Sequence, residues 1–156
     1  MKKLLASLAL ALLIAVPVSA DLKDYLPPDN TPVGWSRDGE AVSYSSANLG
    51  SNVSESGAFT SNGLQDAVVQ FYRKGGKEVV AEIYDLGSRD NAEAAFNALA
   101  AGKPMDIDLG EGSVIEENQI FFYLKNFVVR VKTESPDEET MQTMATIGQT
   151  IWFSLE

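Results

Sequence analysis

Two groups of side chains in this sequence have the types and spacing to do chemistry. The first is Asp106, Asp108 and Glu117. They match the first, third and twelfth positions of a calcium loop of the EF-hand type, which needs hard oxygen ligands converging from a tight turn. The match then breaks down. Gly110 stands where another Asp or Asn ligand belongs, and Glu111 replaces the glycine of the sharp turn. An acidic turn leading into a strand is the simpler reading, with calcium as the weaker alternative. The second group is Glu78 and Glu82, four residues apart on one expected strand. Paired carboxylates can share general acid and base work in a hydrolase. A chain with 22 Asp and Glu supplies such pairs by composition alone. No catalytic residue, resident metal or cofactor is assigned on this basis.

Other chemistry is excluded by what the chain lacks. It has 156 residues, no His and no Cys. A disulfide framework, a thiolate nucleophile, a Cys/His zinc site and a Ser-His-Asp triad are therefore all ruled out. Neither a nucleophile elbow nor a phosphate-binding glycine loop occurs. The formal net charge is −10. Such a charge repels phosphate backbones and anionic lipid, so nucleic acid is not an expected partner.

The elements that would position any site can be read from periodicity. Residues 67–73 and 78–84 alternate as strands, with Lys74-Gly75-Gly76 between them as a hairpin loop. A helix follows, capped by Ser88, with Ala92, Ala95, Phe96 and Leu99 on one stripe. Gly102 and Pro104 end it. Residues 119–124 and 127–133 form a second hairpin about Lys125-Asn126. Ser135-Pro136-Asp137-Glu138 then opens a last helix, whose expected buried face includes Met141, Met144, Ile151, Trp152 and Leu155. Residues 21–40 read as an extended lead-in. The stretch 43–63 holds seven serines and reads as loop, although Leu49, Val53 and Phe59 lie near helical spacing. The expected fold class is α+β: a mainly antiparallel sheet built from two hairpins, each followed by a helix, with the helices mainly on one face.

Side chains alternate across a strand, so each face of the sheet can be listed. The second hairpin pairs Leu124 with Phe127, Phe122 with Val129 and Ile120 with Val131, an apolar face for the helices. For the first hairpin, a three-residue loop pairs Phe71 with Val79 and Val69 with Ala81. A two-residue loop is rejected because it puts Glu82 on the core face. The opposite face then gathers Tyr72, Glu82, Tyr84, Phe121, Tyr123 and Arg130. Aromatics beside an arginine suit a ligand or partner face. The alternative is a second small core, covered by the Trp35 lead-in and the serine-rich stretch, with Glu82–Arg130 as a cross-strand pair.

The first twenty residues read as an address. Met1-Lys2-Lys3 is basic, Leu4 to Val16 is uncharged, and Val18 and Ala20 are small residues before Asp21. This is the pattern of a signal peptide cut after Ala20, and it is short for a membrane span. Cleavage removes Lys2 and Lys3, so residues 21–156 carry a charge of −12. They are expected to form one domain, periplasmic or extracellular, with no later transmembrane segment.

Several pieces together resemble a bacterial family of exported domains of unknown function. They are Leu26-Pro27 with Gly34-Trp35, the strand–turn–helix Glu82-Ile83-Tyr84-Asp85-Leu86-Gly87-Ser88 running to Phe96, and Phe122-Tyr123 with Val128-Val129-Arg130. The likeness spans about residues 25–155. It departs at 46–63, where that family has a more hydrophobic helix and this chain keeps only Gly57-Ala58. The resemblance implies an exported α+β domain and transfers no catalytic residue. The expected function is a non-enzymatic binding module of the bacterial envelope, its partner an envelope protein or a small ligand. A carboxylate hydrolase and a purely structural accessory domain are the alternatives.

Overall fold

The computed structural model describes residues 20–106 and 108–156. The signal-peptide reading falls on residues outside that range. The chain is α+β, with a seven-stranded sheet whose pairings are all antiparallel. Its strands are β1 (Ser36–Arg37), β2 (Val42–Ser45), β3 (Asp66–Lys74), β4 (Lys77–Asp85), β5 (Gly112–Ile115), β6 (Gln119–Leu124) and β7 (Phe127–Lys132). The order across the sheet is β1-β3-β4-β7-β6-β5, and β2 also pairs with β3. The helices are α1 (Ser56–Thr60), α2 (Arg89–Ala100) and α3 (Glu138–Leu155), after a 3-10 turn at Leu22–Tyr25. The short strands β1, β2 and β5 were not expected, because two to four residues among Gly, Ser and Asp carry no readable alternation.

The second hairpin has the expected register, Leu124 opposite Phe127 and Phe122 opposite Val129. The first does not. Its loop is the two residues Gly75-Gly76, with Lys74 opposite Lys77, Tyr72 opposite Val79 and Val69 opposite Glu82. Gly75 takes φ +59, a left-handed conformation that suits glycine in such a turn. The one-residue difference moves Tyr72 to the opposite face from Glu82 and Tyr84.

The helices are not on one face, as expected, but on opposite faces. One layer packs α2 (Ala92, Ala95, Phe96, Leu99) and the serine-rich stretch (Leu49, Val53, Phe59) against Val69, Val80, Tyr84, Phe121, Tyr123 and Val128. The other packs α3 (Met144, Ile147, Ile151, Leu155), Leu26 and Trp35 against Val79, Ala81, Ile83, Phe122, Val129 and Val131. The physical reason lies in the central strands, which are apolar on both faces and so need a layer on each. The lead-in and Trp35 therefore cover the α3 side, not the Glu82 side. Gly112 permits the close approach of α2, since a Cβ there would lie 3.4 Å from the Phe96 ring and 3.0 Å from that of Tyr123.

The start of α3 also differs. Its cap is Asp137, not Ser135. The Asp137 carboxylate accepts from the Thr140 amide at 2.8 Å, and the Thr140 hydroxyl accepts from the Asp137 amide at 2.8 Å. Lys77 holds the Asp137 carboxylate from outside at 2.7 Å. The buried face of α3 is centred on Thr140, Thr143, Met144, Ile147 and Ile151, so Met141 is exposed rather than buried.

Candidate functional site

The six residues expected to form a binding face are all buried, so they do not form an open surface. Tyr72 is separate from the others. It faces the α3 layer, and its hydroxyl donates to the Pro27 carbonyl at 2.8 Å. Burial pushes that phenol up to about 12. The other five lie under α2 and the serine-rich stretch. Phe121 and Tyr123 pack around Phe96, with ring centroids 5.6 and 5.1 Å away.

The charged centre of this layer is built across neighbouring strands. Glu82 on β4 lies directly opposite Arg130 on β7. Arg130 Nε donates to Glu82 Oε2 at 2.6 Å, and the Tyr84 hydroxyl donates to the same oxygen at 2.8 Å. Lys132, two residues along β7, reaches Glu82 Oε1 at 2.8 Å. Glu82 is 2% exposed and Arg130 1%. Burial drives the Glu82 carboxyl toward its neutral form, but Arg130 and Lys132 outweigh that and hold it below its ordinary value. The Tyr84 phenol is pushed up, first by burial and then by the Glu82 charge.

The serine-rich stretch completes the cluster. Arg130 Nη1 donates to Glu55 Oε2 at 2.8 Å, and Nη2 donates to the Ser54 carbonyl at 3.1 Å. Phe59 lies face to face on Tyr84, centroids 3.6 Å apart, and the Arg130 guanidinium lies 5.8 Å from the Phe59 ring. The cation–π partner of Arg130 is thus Phe59, from the serine-rich stretch. Glu55 and Ser54 were missed because they lie 75 and 76 residues from Arg130 and carry no local signal.

A pH dependence follows from Glu82. Its folded value is depressed, so its contribution is present above the unfolded value near 4.5 and is lost as pH falls through the folded value. Lowered values at Asp137, Glu111, Glu116 and Glu139 act with the same sign. Melting temperature is expected to hold from neutral pH to about 5 and then to fall. Glu82→Gln should be less stable at neutral pH, with a shallower acid limb. Thermal melts between pH 7 and 3 read both.

The carboxylates of the hydrolase alternative are engaged elsewhere. Glu82 is buried as described, and Glu78 accepts from Arg73 at 2.7 Å. Asp106, Asp108 and Glu117 do not converge either. Among the described residues no group of three or more acidic side chains is placed to hold a metal ion. The reason is the path of the chain. Asp106 forms an antiparallel bridge with Ser113, so the segment folds back as a turn rather than wrapping around an ion. Gly110 makes that turn at φ +62 against the Tyr123 carbonyl, where a Cβ would clash.

An open, largely apolar recess lies elsewhere, at the β5 edge of the sheet. A groove of about 220 Å³ runs between β5–β6 and α3, with Leu109, Ile115, Ile120, Met141, Met144 and Ala145 in its lining. Asp108 and Glu116 stand at its rim. Ile115 is 49% exposed and Met141 41%. Met141, Ala145, Gln149 and Trp152 recur at helical spacing, so the flank of α3 that borders the groove extends to the aromatic pair Trp152–Phe153. Those rings stack at 5.1 Å, with Phe153 65% exposed.

No family model matches this chain, and no curated protein or solved structure does so either. Among the described residues no helix is long and apolar enough to cross a membrane.

Proposed function

We propose that this chain is an exported, non-enzymatic interaction domain that engages a partner through the groove between β5–β6 and α3. One observation carries the reading: Ile115 and Met141 stand exposed on the two sides of a recess whose floor includes the buried Ile120 and Met144. Apolar side chains grouped around a recess are typical of recognition sites, and methionine adapts to varied partners. Glu116 at the rim is paired with Lys103, so Asp108 and the net charge of −10 are what favour a partner segment with apolar side chains flanked by basic ones. The signal-peptide pattern of residues 1–20 supports the exported part of the reading.

Site-specific photo-crosslinking tests it. A probe at Met141 is expected to give an adduct of discrete mass in envelope extract. A probe at Thr150, on the polar flank of α3, should give none. Ile115→Glu should weaken the captured interaction at least tenfold, about 1.4 kcal/mol, with an unchanged melting temperature. Equal labelling at both positions, or capture unaffected by Ile115→Glu, overturns the proposal.

A further inference from the structure

We propose that the Arg130 guanidinium is a carboxylate seat, filled in cis by Glu55 and open to a small carboxylate when Glu55 withdraws. The inference does not depend on the groove.

Charge balance is the first argument. Glu82 is a single buried carboxylate contacted by two cations, Arg130 and Lys132. A second anion is needed for neutrality, and Glu55 supplies it. Unlike Glu82, Glu55 is attached from the solvent side. Its side chain is 58% exposed, while that of Arg130 is 1% exposed. The carboxylate can therefore swing out without lifting Leu49, Val53 or Phe59, which anchor the stretch in the core.

Backbone conformation is the second argument. Glu55 holds φ +59, a left-handed conformation that strains a residue with a Cβ. Its side chain makes no capping hydrogen bond to α1. The Glu55 carbonyl accepts from the Ala58 amide at 3.0 Å, and its side chain, free of the helix, reaches Arg130 instead. A carboxylate oxygen can take the place of Glu55 Oε2 at Nη1 as a charge-assisted acceptor. On withdrawal of Glu55, Nη1 is left facing the opening, while Nε stays on Glu82 and Nη2 on the Ser54 carbonyl.

The test is chemical rescue in the full-length chain. Glu55→Gly removes the carboxylate and suits the positive φ, and Glu55→Asn is a second variant that tolerates φ > 0 with a side chain too short to fill the seat. Each should melt lower than the parent. Tens of millimolar sodium formate should restore at least half of the loss, saturably, whereas sodium chloride at equal ionic strength should not. The Arg130 Nε–H resonance should shift along the same saturation curve. Glu139→Ala, which removes a carboxylate from the surface cations Lys74 and Lys77, should show no such recovery. Absence of saturable recovery in both Glu55 variants overturns the proposal. So does equal recovery in Glu139→Ala or with chloride.

Discussion

Arg130→Met should destabilise the fold by about 3–5 kcal/mol, the usual cost of removing one partner from a buried ion pair. The substitution preserves bulk, so cavity formation contributes little. The loss comes from Glu82, left 2% exposed with only Lys132 and the Tyr84 hydroxyl. The Ser54 carbonyl and the Glu55 carboxylate lose their donor at the same time. Adding Glu82→Leu should recover most of the loss, because replacing both buried charges by apolar groups is often neutral or stabilising. Urea unfolding of the two single variants and the double variant gives the coupling directly. A loss below about 1 kcal/mol for Arg130→Met would place the pair in the range of exposed ion pairs and contradict its burial.

The second large effect is expected at Phe59. Phe59→Ala should cost about 3–5 kcal/mol, the range for removing a buried aromatic ring. Phe59 is fully buried, stacks on Tyr84 and lies beside the Arg130 guanidinium, so its loss affects the core and the charged cluster together. The effect should be local as well as global. With Leu49 and Val53 as the remaining deep anchors of this stretch, native-state protease cleavage within residues 46–62 should rise before the sheet unfolds. Mass spectrometry of the first fragments reads this. First cuts at other loops would show that the stretch is held by contacts besides Phe59.

The contrast between the two hairpins shows what could be read in advance. In β6–β7 the apolar alternation and the Lys125-Asn126 turn agree, and the register follows from either. In β3–β4 alternation misleads, because a carboxylate on a strand is taken as a mark of the wet face. Glu82 is buried because Arg130 and Lys132 come from a strand 48 and 50 residues further on, a compensation that no local window contains. That one side chain moved the expected register by a residue and carried Tyr72 with it to the wrong face. The alternative of a second small core came closer, since the serine-rich stretch does cover Glu82 and Arg130. Trp35 was assigned there too and lies on the other side, because nothing local fixes which face a lead-in crosses. The stripes of α2 and α3 were legible as stripes; which side of a sheet each helix takes depends on the path of the intervening loops. The exposed groove was hidden for a related reason: Met141 falls at the edge of the apolar period of α3, while the buried face takes in the polar Thr140 and Thr143, which hydropathy alone places outside.

The roofing of the α3 side has a consequence for the order in which this chain can mature. That layer joins Leu26 and Trp35 near the start of the described chain to α3, the last described element in chain order. Any process that delivers the chain from its amino end, synthesis or threading through a pore, delivers the closing helix last. Until residues 138–155 arrive, Val79, Ala81, Ile83, Phe122, Val129 and Val131 have only the partial cover of Leu26 and Trp35, and the sheet is a half-finished structure with one sticky side. A chain stopped before residue 138 is therefore expected to be an aggregating intermediate rather than a smaller stable domain.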